Sequence, residues 1–222
     1  MTGVAVFDAY GTLFDTEGLV TRAEAEAPGQ GTALVRLWRA KQLEYTWLRS
    51  LLDRYRDFWA VTRDALEFAC EAAGLHLSAE ARDRLMSAWL DVPAFPDAAP
   101  ALSELTARGV RCCVFSNGTR QMLQSAAVSS GLSRYLEAVL SVDDEVRVYK
   151  PHPAAYDFVC RSLAIPREEV LFVSSNGFDV AGAASYGFPT AWVNRRGLPW
   201  ERLGVSPDRV VTSLGELAAG WV

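Results

Sequence analysis

Three short apolar runs in this chain each stop at a cluster of polar residues, and that pattern narrows the possible folds more than any other feature. Residues 3–7 end at Asp8, residues 111–115 at Ser116-Asn117-Gly118, and residues 170–173 at Ser174-Ser175-Asn176-Gly177; a fourth run covers 190–193. An unbroken apolar run bounded by turn residues reads as a strand buried on both faces. Helical segments are predicted between the runs at 102–108, 122–130 and 181–186, and each is followed at once by a glycine, Gly109, Gly131 or Gly187. Glycine tolerates the left-handed conformation that ends a helix. Strand and helix alternating over short joints make a parallel sheet covered on both faces.

Residues 17–95 have a different character. No segment there reads as a strand, whereas 34–52, 63–73 and 79–90 have the spacing of amphipathic helices, with Ser78 placed to cap the last. Val92-Pro93 and Phe95-Pro96 mark the exit, because a residue before proline is pushed out of helical geometry. The expected architecture is α/β: a Rossmann-like parallel-sheet core from 1–16 and 96–222, with an inserted α-helical cap domain at 17–95. At 222 residues the chain is long enough to bury such a core without disulfide staples.

Composition excludes several function classes. The net charge is −5 and there is no basic run, so nucleic-acid binding has no electrostatic footprint. No apolar stretch approaches the ~18 residues of a membrane span, and the N-terminus has no basic region leading into an apolar one. A cytoplasmic protein is expected. Cys70, Cys112, Cys113 and Cys160 form no C-x-x-C pair and read as free thiols. His76 and His152 are the only histidines, which leaves little for a zinc site or a Ser-His-Asp triad. The 22 basic residues include only two lysines, Lys41 and Lys150.

In parallel α/β sheets, ligands sit outside the carboxyl ends of the strands. Asp8, the pair Ser116 and Asn117, and the group Ser174, Asn176 and Asp179 all lie at such ends, and Lys150 lies between them just before Pro151. Each alone is equally a turn or cap residue, or for Lys150 a solvated surface charge. Together they converge on one pocket if their strands are neighbours.

Phe7-Asp8-Ala9-Tyr10-Gly11-Thr12-Leu13 resembles the first motif of the haloacid dehalogenase superfamily. Ser116-Asn117-Gly118 resembles its second motif, Lys150-Pro151 its third and Ser174-Ser175-Asn176-Gly177-Phe178-Asp179 its fourth, in the same order. The helical insert falls where that superfamily carries a cap. Phosphatases of the superfamily have a second Asp two positions after the nucleophile and use Mg²⁺; here that position is Tyr10, which cannot replace a carboxylate beside a hard cation. The L-2-haloacid dehalogenases have Tyr there. Leu37-Trp38-Arg39-Ala40-Lys41-Gln42-Leu43-Glu44-Tyr45-Thr46-Trp47-Leu48 is similar to their cap helix.

The resemblance implies hydrolysis of (S)-2-haloalkanoic acids to (R)-2-hydroxyalkanoic acids, with neither metal nor cofactor. Asp8 is then the nucleophile that displaces halide from C2 to give an ester, which water hydrolyses. Lys150 keeps Asp8 ionised, Ser116 and the amides of Ala9 and Tyr10 hold the substrate carboxylate, and Arg39 and Asn117 receive the halide. Leu43, Phe58, Tyr156 and Phe178 complete the substrate site; Thr12, Ser174, Asn176 and Asp179 orient Asp8, Lys150 and the water, with their division of roles open. Two positions depart from some relatives: Ala40 stands for Gln and Phe178 for Trp, both expected at the pocket's edge. The implied partners are a small halogenated carboxylic acid and water, in a homodimer. The alternatives are a Mg²⁺-dependent phosphatase of the same superfamily and a non-catalytic relative that binds a small anion.

Overall fold

Every residue of strand β1, Val4–Phe7, is buried, as an unbroken apolar sequence requires of a strand covered on both faces. The structure is a computed structural model that describes residues 3–221. β1 lies inside a six-stranded parallel sheet with β2 Arg111–Ser116, β3 Ala138–Ser141, β4 Val170–Ser174, β5 Thr190–Val193 and β6 Arg209–Val211. The order is β3-β2-β1-β4-β5-β6, so the winding reverses between β1 and β4. A crevice opens at such a reversal, beyond the carboxyl ends of the strands. Phe7 pairs with Val114 on one side and Val173 on the other, which brings Asp8 to that crevice between the ends of β2 and β4.

The four runs read from sequence are β1, β2, β4 and β5. The three helices read between them are α5 Ala98–Ala107, α6 Arg120–Ser129 and α8 Gly177–Tyr186, and Gly109, Gly131 and Gly187 have φ of 79°, 71° and 104°. Not read from sequence were β3, β6, α7 Pro153–Leu163 and α9 Leu214–Ala219. β3 and β6 are the sheet's two edges and are partly exposed, so neither needs a continuous apolar run.

The insert is helical: α1 Gly18–Glu26, α2 Gly31–Leu51, α3 Phe58–Ala72 and α4 Ala79–Ser87, the last running into a 3₁₀ turn at Ala88–Leu90. Ser78 does cap α4, accepting from the Ala81 amide at 3.2 Å. α3 starts earlier than its periodicity suggests, because Asp57 caps it by accepting from Ala60 N. The chain leaves the sheet and returns to it side by side. Phe14 bridges Ala94, Asp15 N donates to the Pro93 carbonyl at 2.7 Å, and Phe95 N donates to that of Leu13 at 2.9 Å. Arg195, just past β5, clamps this junction by donating to both Asp97 oxygens (2.8 and 3.0 Å) and to the Thr12 carbonyl (3.1 Å). Among the described residues, no helix is long and apolar enough to cross a membrane.

Candidate active site

Asp8 is held by unequal demands on its two carboxylate oxygens. Its backbone still belongs to the sheet, donating to the Val173 carbonyl at 2.9 Å, and the chain then turns at Gly11, whose φ of 88° few other residues adopt. The turn brings Thr12 back over Asp8. Oδ2 of Asp8 accepts from Thr12 Oγ1 (3.1 Å), Ser174 Oγ (3.3 Å) and Asn176 Nδ2 (2.8 Å). Oδ1 accepts from Lys150 Nζ at 3.3 Å. The two hydroxyls are themselves oriented: Thr12 Oγ1 accepts from Ser175 N and Ser174 Oγ from Asn176 N, so their protons point at Asp8. Asn176 Nδ2 also donates to the Tyr10 carbonyl at 3.1 Å.

Lys150 is 2% exposed and spends all three of its protons on fixed acceptors. Besides Asp8 these are Asp179 Oδ2 at 3.0 Å and the Phe115 carbonyl at 2.7 Å. The ammonium therefore sits between two carboxylates in a dry interior, where an ion survives only if paired and hydrogen-bonded. Burial pushes the Asp179 carboxyl up to about 6, against the pull of the Lys150 charge, while Asp8 raises it further. Tyr156, which the resemblance places against the substrate, does not border the cavity. Its ring is buried beneath the pocket and its hydroxyl donates toward Asp179, at 2.9 Å from Oδ1 and 3.0 Å from the carbonyl, so it braces Asp179 from behind. Phe115, through its carbonyl, is a partner that sequence reasoning missed; a main-chain acceptor carries no side-chain signal.

Above this floor lies a small cavity. Asp8, Lys150, Asn176 and Asp179 bound it from the core, Ser116 and Asn117 from the end of β2, and Arg39, Leu43 and Phe58 from the cap, with Tyr10 and Phe178 on its walls. It has about 20 Å³ of room for water centres, little more than one water needs. The Asn117 side chain is turned by its carbonyl, which accepts from Lys150 N at 2.9 Å and leaves the NH₂ group free to face the cavity. The Ala9 side chain is buried outside the cavity, but the amides of Ala9 and Tyr10 have no protein acceptor among the described residues. Ala40, expected at the pocket's edge, is exposed on the outer face of α2 and takes no part; the helix turns Arg39 and Leu43 inward and Ala40 away. Phe178 does border the cavity and meets Trp47 of α2 edge-on at 5.1 Å.

Arg39 projects from α2 with its guanidinium over the Trp89 ring, 5.0 Å from the centroid. Burial lowers its pKa to about 10, with Asp8 opposing the fall, so it remains a cation at neutral pH. Burial likewise raises the Tyr10 phenol above its ordinary value, and its ring lies against Phe58 and Trp89. Tyr10 is thus an apolar wall. The donor set does not fit a divalent cation. The two carboxylates that face each other, Asp8 and Asp179, already share the Lys150 ammonium, and among the described residues no third acidic residue joins them. Among the described residues no group of three His, Cys, Asp or Glu is disposed for a metal.

Comparison with known proteins identifies the family. A family model for haloacid dehalogenase-like hydrolases matches residues 2–187. An (S)-2-haloacid dehalogenase of Pseudomonas sp. (strain YL) is 45% identical over 212 residues, covering 96% of this chain and 90% of that one. Haloacetate dehalogenase H-2 of Moraxella sp. (strain B) is 40% identical, covering 92% and 91%. The structure of L-2-haloacid dehalogenase from Xanthobacter autotrophicus with chloropropionic acid covalently bound superposes with a TM-score of 0.93 at 39% identity, over 100% of both chains.

Proposed function

This chain belongs to the haloacid dehalogenase-like hydrolase family, and from that premise we propose that it hydrolyses (S)-2-haloalkanoic acids to (R)-2-hydroxyalkanoic acids through an ester on Asp8. The observation that carries this reading is the asymmetry of the Asp8 carboxylate. Oδ2 is saturated by three donors, whereas among the described residues Oδ1 accepts only from Lys150 and keeps lone pairs for attack. Oδ1 attacks C2 from the face opposite the halogen; the carbon–halogen bond breaks, halide leaves with the electron pair, and C2 inverts. Water then adds to the Asp8 carbonyl carbon. Negative charge grows on Oδ2, where Thr12, Ser174 and Asn176 already point, which is the arrangement that stabilises a tetrahedral intermediate. The bond to Oδ1 breaks, the hydroxy acid leaves with that oxygen, and water's oxygen stays in Asp8.

The other residues follow from the charge each end of the substrate carries. Ser116 and the amides of Ala9 and Tyr10 take the substrate carboxylate. Arg39 and the Asn117 NH₂ group take the departing halide, and Leu43, Phe58 and Phe178 exclude water around it. Asp179, braced by Tyr156, holds Lys150 against Asp8. Chloride release from (S)-2-chloropropionate, unchanged by EDTA, tests the reading directly. In a single turnover in ¹⁸O-water the label is expected in Asp8 and not in the product; a labelled first-turnover product means that water attacks C2 itself and the ester step is wrong.

The same reading divides the chain into a core of 1–16 and 96–222 and a cap of 17–95, working in the cytoplasm as a homodimer. Four unpaired cysteines support a reducing compartment. The exposed Leu48, Leu51 and Leu52 at the end of α2 give a dimer an apolar contact. A monomeric mass by light scattering removes the dimer from this account.

A further inference from the structure

An arginine that receives a leaving halide must be held still, yet Arg39 reaches the cavity on a long side chain with many rotamers. Two buried polar residues that the reaction does not otherwise use are linked to it in series, Gln42 directly and Thr62 through Gln42. Arg39 Nη1 donates to Gln42 Oε1, Gln42 Nε2 donates to Thr62 Oγ1 at 2.6 Å, and Thr62 Oγ1 donates to the Phe58 carbonyl at 2.6 Å. Gln42 and Thr62 are both fully buried. Gln42 stands on the inward stripe of α2 with Leu34, Trp38 and Thr46, where Leu or Met fills the space with no hydrogen bond to satisfy.

The chain of bonds has one direction. The hydroxyl of Thr62 has a single proton, which goes to the Phe58 carbonyl, so its oxygen must accept from the Gln42 NH₂ group. That turns Gln42 Oε1 toward Arg39, an acceptor that only a donor such as guanidinium satisfies. The far end is anchored on Phe58, which itself borders the cavity. Trp89 lies under the guanidinium, and Trp38, edge-on to Trp89 at 5.7 Å, donates to the Thr62 carbonyl at 2.7 Å. The relay and the indole together set both the reach and the plane of the guanidinium.

We propose that Gln42 and Thr62 are positioning residues that aim Arg39 at the leaving halide and so set how well the enzyme handles a poor leaving group. This rests on the dehalogenase reading given above. Chloride is a poorer leaving group than bromide and carries its charge on a smaller ion, so it depends more on an aligned donor. A displaced guanidinium therefore costs the chloro substrate more than the bromo one, whereas loss of folded protein costs both alike.

The test measures kcat and KM for (S)-2-chloropropionate and (S)-2-bromopropionate in the wild type, Gln42→Met, Thr62→Val and Thr62→Ser, with thermal unfolding of each. Gln42→Met and Thr62→Val are expected to lose about 10- to 100-fold in kcat on the chloro acid, on the scale of a small misplacement of a reacting group. They should lose clearly less on the bromo acid, with KM little changed, and Thr62→Ser, which keeps the hydroxyl, should retain the wild-type ratio of the two rates. Thr62→Val is nearly isosteric and decides the matter if Gln42→Met does not fold. A folded Thr62→Val enzyme with the wild-type bromo-to-chloro ratio, whatever its absolute rate, overturns this inference alone. Absence of halide release from the wild type overturns it together with the dehalogenase reading.

Discussion

At the scale of single residues, the site is organised by one buried cation. Lys150 neutralises two carboxylates, and removing it leaves Asp8 and Asp179 facing each other in a dry interior. Breaking a buried pair in this way costs about 3–5 kcal/mol, because the abandoned charge stays behind. Lys150→Met is therefore expected to lose activity and roughly that much stability near neutral pH. The loss should shrink as pH falls, because a proton on Asp179, already pushed upward by burial, relieves the repulsion. Denaturant unfolding at pH 8 and pH 5 checks this; an equal loss at both means the carboxylates are not the cause. Arg39→Ala is expected to fold normally and to lose about 10²–10³ in kcat, the usual cost of removing one preorganised stabiliser, and Arg39→Lys to recover only part of it. Near-wild-type turnover of folded Arg39→Ala on a 2-chloro acid removes Arg39 from the chemistry. Asp8, Ser116 and Asn176 were legible because strand ends in a parallel sheet face one crevice, and Lys150 through the Lys150-Pro151 motif between them. Gln42, and the bracing part taken by Tyr156, were not: a polar side chain inside an apolar stripe looks like any other helix residue until its partners are known.

At the scale of elements, α8 must lie very close to Tyr156 for that brace to work. A Cβ built on Gly182 falls 2.5 Å from both the Tyr156 hydroxyl and the Pro151 Cβ, and neither belongs to a side chain free to swing away. Gly182→Ala is therefore expected to push α8 off α7, loosen Tyr156 from Asp179 and cost about 1–3 kcal/mol by overpacking, although Ala favours a helix. Unfolding midpoints and activity should fall together; a gain in stability means the contact relaxes freely. The sequence made the central strands and their following helices plain, since strands covered on both faces must be apolar throughout. The edge strands β3 and β6 escaped because a single sheet neighbour and partial exposure ask for no such run. In the cap, α1 escaped for a related reason: only Leu19 and Ala23 of its nine residues are buried, too few to print a helical period.

At the scale of the whole molecule, a cavity with room for little more than one water must open for a substrate to enter, so the ties between cap and core govern access. One cluster of ties joins the end of α2 and the loop after it to residues 143–149 of the core. Tyr55 donates to Asp143, Tyr149 donates through its hydroxyl to the Arg56 carbonyl, and Tyr149 N donates to Ser50 Oγ at 3.1 Å. Asp143 is the titrating member. Burial raises its carboxyl to about 6, Asp144 adds to the rise, and Arg147 opposes it. The folded chain thus holds this proton more tightly than the unfolded chain does. As pH climbs from about 4 to about 6 the unfolded state releases its proton first, so this group's contribution to stability falls across that window. Asp143→Asn keeps an acceptor for Tyr55 but cannot ionise, and the variant should gain on the parent as pH rises through the same window. Partial exposure screens the effect, which leaves a relative gain on the order of 1 kcal/mol. The measurement is the free energy of unfolding of both proteins at pH 4 and pH 7. A stability difference that stays constant between the two pH values means that Asp143 ionises in the folded chain as readily as in the unfolded one, and that this tie adds no pH dependence to the hold of the cap on the core.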